Sequence, residues 1–233
     1  MGWFKRFLGF MDARTAVETK HQQVETIIYE GRVLPDGRVI SLDVRNFFVN
    51  SLAKELQDAA GWMAEAGLCD DQKAFNVDVW VQKAVSYTSD KARWGLPEFW
   101  MLPFETLHVK KGDCEDGAIL AANMLLAAGV PAWKFRLNAG EVEGGEGHCW
   151  LTYYCEATKR WVALDWCYSP SQKPIPERLG YKDAGTIRRV WFSWTAEKVF
   201  FGEAAGWSSG GGYASYRFKY GSGKALVPAR EHS

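Results

Sequence analysis

A run of six residues, Gly112, Asp113, Cys114, Glu115, Asp116 and Gly117, opens an alanine-rich stretch that closes at Gly129, Val130 and Pro131. Carboxylates in a first turn, apolar Ala118, Ile119, Ala121, Ala122, Leu125 and Leu126 behind them, and glycine then proline at the end describe one helix with both termini marked. Its small side chains predict close packing against a sheet. Three strand-like segments follow at once, 132–138, 148–155 and 161–166, joined by a Gly-rich connection at 140–147 and a turn at 156–160. The order predicts an α+β fold in which the Cys114 helix lies on an antiparallel sheet. It also places a cysteine at the first turn of a buried helix, where unpaired backbone N–H groups favour thiolate over thiol.

The rest of the chain is built around this unit. Residues 12–30 read as a polar amphipathic helix, and Pro35, Asp36 and Gly37 supply a turn after it. Apolar positions recur at helical spacing over 43–67 and again over 76–87. Between the second helix and the cysteine runs a connection, 89–111, rich in Trp and Pro and carrying Glu98 and Glu105; a loop that long inside a compact domain is often functional. Residues 190–201 predict a last strand and a short helix, and from Gly202 onward Gly and Ser dominate. The predicted organisation is therefore an N-terminal arm (1–42), a domain (43–201) and a Gly/Ser-rich tail (202–233). The aromatic start of the arm, with Trp3, Phe4, Phe7 and Phe10, reads either as a docking peptide or as a segment packed on the body.

Composition excludes several functions. The chain has 233 residues, a formal net charge of +0 and no long basic run, so there is no electrostatic case for nucleic acid, and partners are expected to be proteins or peptides. Twelve Trp and thirteen Phe are enough to fill a core, line a groove or form a docking surface. Five cysteines, an odd number without a CxxC pair, point to a reducing compartment. A zinc site from His148, Cys149, Cys155 and Cys167 is disfavoured, because adjacent residues of a strand point to opposite faces. The first eleven residues are too short and too interrupted for a signal peptide or a membrane span.

Period-two alternation puts His148, Trp150, Thr152 and Tyr154 on one strand face, and Asp165 on the same face as Ala163 and Trp161. If those strands pair, His148 and Asp165 become neighbours, and with Cys114 they supply a nucleophile, its base and an orienting carboxylate. A plainer account stands beside this one: Asp113 and Asp116 suit a helix capping pair, and a buried cysteine at a helix start is common. His21 and His232 fall in polar or terminal segments.

Trp94, Gly95, Pro97 and Trp100, then Leu102, Pro103, Glu105, Thr106 and Leu107, then residues 112–116, with His148, Leu164 and Asp165 downstream, resemble the bacterial and phage transglutaminase-like cysteine peptidases. The likeness spans about residues 76–170. It implies a papain-like, transglutaminase-like core and cysteine-dependent acyl transfer at an amide, chiefly peptide-bond hydrolysis through a thioester. Cys114 matches the nucleophile, His148 the general base and acid, and Asp165 the orienting carboxylate. The backbone N–H of Cys114 is then one oxyanion donor, with Trp100 or His108 as candidates for the second. Relatives that bind calcium through acidic residues beside the nucleophile make Asp113, Glu115 and Asp116 candidate calcium ligands, although the acyl transfer itself requires no cofactor. Amine attack on the acyl-enzyme, giving cross-linking or deamidation, is the alternative reaction, and a docking role, for example in a phage virion among its structural proteins, the alternative function. The expected location is the cytoplasm or a phage virion.

Overall fold

The computed structural model describes residues 22–24, 26–34, 36–49, 54–181, 183, 185–201 and 218–220. The aromatic start of the chain and most of the tail lie outside them. In chain order the elements are strands β1 (Gln22–Val24), β2 (Ile27–Val33) and β3 (Val39–Asp43), then a 3-10 turn, Val44–Phe47. Helices α1 (Lys54–Leu56) and α2 (Trp62–Glu65) follow, joined by a π-helical turn, and then α3 (Asp70–Ala84). Strand β4 (Ser86–Tyr87), helices α4 (Asp90–Trp94) and α5 (Pro103–Val109), and strand β5 (Lys111–Gly112) lead into α6 (Cys114–Ala127). Strands β6 (Phe135–Val142), β7 (Gly147–Cys155), β8 (Arg160–Leu164), β9 (Ile187–Trp194), β10 (Val199–Phe201) and β11 (Phe218–Tyr220) complete the chain.

Helix α6 is the centre of the molecule. All but two of its fourteen residues are buried, and Ala118, Ala121 and Ala122 let it approach the sheet closely. The sheet beneath has the order β1-β10-β9-β6-β7-β8, antiparallel throughout. Leu137, Leu151, Tyr153 and Leu164 from it join Ile119, Leu120 and Met124 of α6 in one core. The strands around α6 match the expectation from sequence to within a few residues, since their pattern is period two and the β6–β7 turn is marked by Gly. The α+β, papain-like architecture is thus the one observed.

Other expectations fail for physical reasons. The segment read as a helix over 12–30 is extended wherever it is described: β1 pairs with β10, and β2 with β3. Thr26, Ile27 and Ile28 are β-branched, and Ile27 and Tyr29 are buried while Ile28 and Glu30 are only partly so, which is strand alternation. The single helix read over 43–67 is broken. Asn123 of α6 donates its amide to Phe47 O at 2.9 Å and accepts from Val49 N at 3.0 Å, so those backbone groups are satisfied by a side chain rather than by a helical ladder. Helix α3 begins at Asp70, earlier than the apolar pattern implied, because its first turn buries the polar Asp71. Asp71 accepts from Tyr153 Oη at 2.9 Å and from the amides of Glu156 and Ala157. These bonds hold its pKa below the ordinary carboxylate value, although burial acts the other way. Finally, the predicted short helix before 201 is β10: Thr195 Oγ1 accepts from the amides of Glu197 and Lys198 and turns β9 back on itself. Tail residues 218–220 pair with β2.

Candidate active site

Two short ladders assemble the site. Strand β4 runs parallel to β5, with Thr88 N donating to Gly112 O at 2.8 Å, so the chain that follows β4 is delivered to the start of α6. Strands β7 and β8 pair with Leu151 opposite Leu164 and Thr152 opposite Ala163. That register puts His148 at one end of β7 within reach of Asp165, the first residue after β8.

The run from Gly112 to Gly117 has a packing reason for both glycines. A Cβ on Gly112 would collide with the Asp116 side chain, and one on Gly117 with the indole of Trp166. The same indole donates from Nε1 to the carbonyl of Cys114 at 3.0 Å, fixing the first turn of α6 against the segment after β8. Asp116 is wholly buried and its two oxygens accept from the amides of Met101, at 2.8 Å, and Asp113, at 3.3 Å. It therefore closes a capping box and ties the aromatic connection to the helix.

His148 Nε2 lies 3.0 Å from Asp165 Oδ2. The other oxygen of Asp165 accepts from the amides of Cys167, at 3.3 Å, and Tyr168, at 3.1 Å, so the carboxylate is aimed by the turn it caps. The imidazole stacks on Trp150, with ring centroids 5.8 Å apart and planes at 14°, and the tilted ring of Tyr168 lies 5.3 Å from it. With Nε2 on Asp165, Nδ1 is the nitrogen left to face a reacting group.

Cys114 and His148 line one cavity of about 480 Å³, with Tyr87, Trp100, Trp191 and the β6–β7 hairpin residues Gly145, Glu146 and Gly147. The half-buried thiol donates to Glu115 Oε2 at 3.2 Å, and while that bond is made it is not donating to His148. Burial, then the charge of Asp113 and the neighbouring Cys149 and Cys167 thiols, pushes the Cys114 pKa well up, and the Glu115 bond opposes them. The helix-terminus effect expected from sequence is outweighed by desolvation and negative neighbours.

The negative neighbours form a cluster. Ligand oxygens of Asp90, Asp113 and Glu115 lie within 4.8 Å of one another. Asp90 and Glu115 are each 3% exposed, and Asp113 Oδ1 and Glu115 Oε1 are buried with no hydrogen-bond partner. Burial and the charge of Asp113 raise the Asp90 pKa to about 8, and burial also raises those of Asp113 and Glu115. Sequence reasoning missed Asp90, which stands 24 residues before the cysteine and shows no motif; only the β4–β5 ladder reveals its place.

Of the two oxyanion candidates, Trp100 lines the cavity, with its indole N–H donating to Glu98 Oε1 at 2.6 Å. His108 is exposed in the last turn of α5, apart from the cavity lining.

Comparison with known proteins accords with this geometry. No curated protein matches the chain in sequence. Among solved structures, EGTA-treated LapG of Legionella pneumophila is 18% identical and aligns over 76% of this chain and 87% of that one with a TM-score of 0.51, a likeness of fold. Calcium-bound LapG is 20% identical over 68% of this chain and 83% of that one, with a TM-score of 0.49. The sequence profile of the bacterial transglutaminase-like cysteine proteinases matches residues 56–160, a span that contains both Cys114 and His148. Residues 56–160 therefore carry the pattern of that family, and the resemblance to transglutaminase-like cysteine peptidases read from the sequence is borne out.

Proposed function

We propose that this peptidase hydrolyses peptide bonds with Cys114 as nucleophile, His148 as general base and acid, and Asp165 as the carboxylate that orients the imidazole. The observation that carries the reading is the 3.0 Å contact of His148 Nε2 with Asp165 in the cavity that Cys114 lines. The Cys114 proton passes to His148 Nδ1, and the sulfur attacks the carbonyl carbon of the scissile amide. The oxyanion is met by the Cys114 backbone N–H, a donor of the kind whose loss typically costs about 10²- to 10³-fold in rate. His148 then protonates the leaving amine, a thioester remains, and water activated by His148 releases the acid. Tyr87 and Tyr168, 60% and 43% exposed, stand at the cleft as apolar contacts for the substrate peptide.

We further propose that Asp90, Asp113 and Glu115 hold calcium. LapG has been solved both calcium-bound and EGTA-treated; for this chain the case rests on its own carboxylates. The donors are all oxygen, and two of the buried oxygens have no partner, which suits a hard cation. Asp116 is not in this set, since both its oxygens accept backbone amides. A bound calcium ion supplies positive charge beside the nucleophile. Glu115, engaged there, then ceases to hold the Cys114 proton, and the field that raises the thiol pKa is cancelled.

The test is the pH profile of Cys114 alkylation by iodoacetamide, in calcium and in EGTA. Rapid labelling in calcium that persists below about pH 8, the range of an ordinary thiol, is expected. Both His148→Ala and the chelator should slow it by about tenfold or more, as the thiolate fraction falls. An ordinary thiol profile, indifferent to both, would rule the triad out.

A further inference from the structure

On the His148 side of the cleft stands a second convergence of ligating atoms with different chemistry. One ligating atom each of His148, Asp165 and Cys167 lies within 4.8 Å of the other two. The turn after β8 makes this arrangement: Asp165 Oδ1 accepts the amides of Cys167 and Tyr168, which folds the Cys167 side chain back beside the His148–Asp165 pair. Two of the three residues are buried, at 7% exposure each, and Cys167 is half-buried. A thiol of this kind has no role in peptide hydrolysis.

We propose that His148, Asp165 and Cys167 form an inhibitory zinc site. Imidazole nitrogen, thiolate sulfur and carboxylate oxygen are the donors zinc takes, whereas sulfur and nitrogen are poor ligands for calcium. In a tetrahedral site with bonds of roughly 2.0–2.3 Å, ligating atoms stand about 3.3–3.8 Å apart. The three groups therefore need to close by no more than about 1.5 Å, with a water in the fourth position. Charge balances: a dication meets one carboxylate and one thiolate, and the Cys167 proton leaves to solvent on binding. The thiol is otherwise held protonated, chiefly by burial and then by the charge of Asp165, and a cation between the two relieves both. The zinc set considered from sequence failed because it needed adjacent residues of one strand; this set needs only His148 from β7 and leaves Cys149 on the opposite face.

Inhibition follows from the triad reading and rests on it. The metal takes a lone pair of His148, so the imidazole loses either its capacity to accept the Cys114 proton or its contact with Asp165. Binding itself rests on the geometry alone, so the two fail separately.

Cobalt is the spectroscopic probe, added with excess calcium so that the carboxylate cluster is filled. A sulfur-to-cobalt charge-transfer band is expected in the wild type, displaced by one equivalent of zinc, retained in Cys114→Ser and Cys149→Ser, and lost in Cys167→Ser. In the wild type, mass-mapped alkylation with zinc present should show Cys167 protected and Cys114 labelling slowed, with no dependence on whether any variant folds. Zinc affinity should fall by at least about tenfold in Cys167→Ser, a loss seen even for outer-shell partners. A band absent from the wild type, or lost in Cys114→Ser and kept in Cys167→Ser, overturns the site. A normal band with unchanged Cys114 labelling overturns the inhibition. Failure of the triad is read elsewhere, in the metal-free pH profile of Cys114 and its response to His148→Ala.

Discussion

At the scale of single residues, the site is dominated by carboxylates that the folded chain holds against their chemistry. Asp90 titrates at about 8 in the fold, against an ordinary value of 3.8. The folded protein thus keeps a proton that the unfolded chain has released between those values. Its stabilising contribution is complete below the ordinary value and is lost as pH rises through about 8. Asp113 and Glu115 are shifted in the same direction. In EGTA, the melting temperature is therefore expected to fall between about pH 5 and pH 8.5, and if the proposed site holds calcium, the ion should favour the ionised form and reverse the trend. Asp90→Asn keeps an acceptor for the Phe99 amide but removes the charge. It should stabilise the chelated protein at pH 8 by about 1 kcal/mol or more, roughly 2–4 °C in Tm for a chain of this size. A chelated melting temperature that rises equally with pH in both proteins would show that the carboxylates are not strained. The nearness of His148 to Asp165 and the place of Cys114 at a helix start were legible from alternation and helix-terminus residues, which are local signals. Asp90 was not, because its proximity depends on a two-residue ladder between segments whose sequences carry no strand pattern.

At the scale of elements, α6 could be read almost to its ends, since acidic residues, small residues and a Gly-Val-Pro stop are all local. The 43–67 stretch could not, because the capture of Phe47 and Val49 by Asn123 is a contact between residues more than 70 positions apart. Gly117 separates local from tertiary reasoning. By helix propensity, Gly117→Ala should stabilise α6 by up to about 1 kcal/mol. The added methyl, however, would enter the ring of Trp166, whose Nε1 holds the Cys114 carbonyl. Overpacking of that kind costs about 1–3 kcal/mol, so the net expectation is destabilisation. Thermal denaturation should show a lower Tm, and the rate of Cys114 alkylation in calcium should fall with it as the first turn shifts. A higher Tm would mean that the indole moves aside freely and does not position Cys114.

For the whole molecule, the segment expected to be a lead-in arm is built into the body wherever it is described. Tyr29 of β2 stacks on Trp100 with ring centroids 5.2 Å apart, and its hydroxyl accepts from Trp100 N and donates to Glu98 O. Arg32, 5% exposed, donates to the Trp100 carbonyl at 2.5 Å and to both oxygens of Glu105 at 2.6 and 2.7 Å. The β2–β3 hairpin thus clamps the connection that supplies Glu98 and Trp100 to the cleft wall. None of this follows from local sequence, since the partners lie about 70 residues apart. Breaking a buried pair by removing one partner costs about 3–5 kcal/mol. The Glu105 side chain is one-third exposed, so solvent screens part of the loss. Arg32→Ala is therefore expected to cost about 2 kcal/mol, roughly 4–8 °C in Tm. Glu105→Gln alone should cost less, because Arg32 retains the Trp100 carbonyl. The double variant should be less destabilised than the sum of the two, as residues in one network are. Arg32→Lys should restore little, since a single ammonium cannot span the carbonyl and both carboxylate oxygens at once. Additive losses below about 0.5 kcal/mol in urea denaturation would show that the hairpin merely lies against the cleft wall and does not hold it.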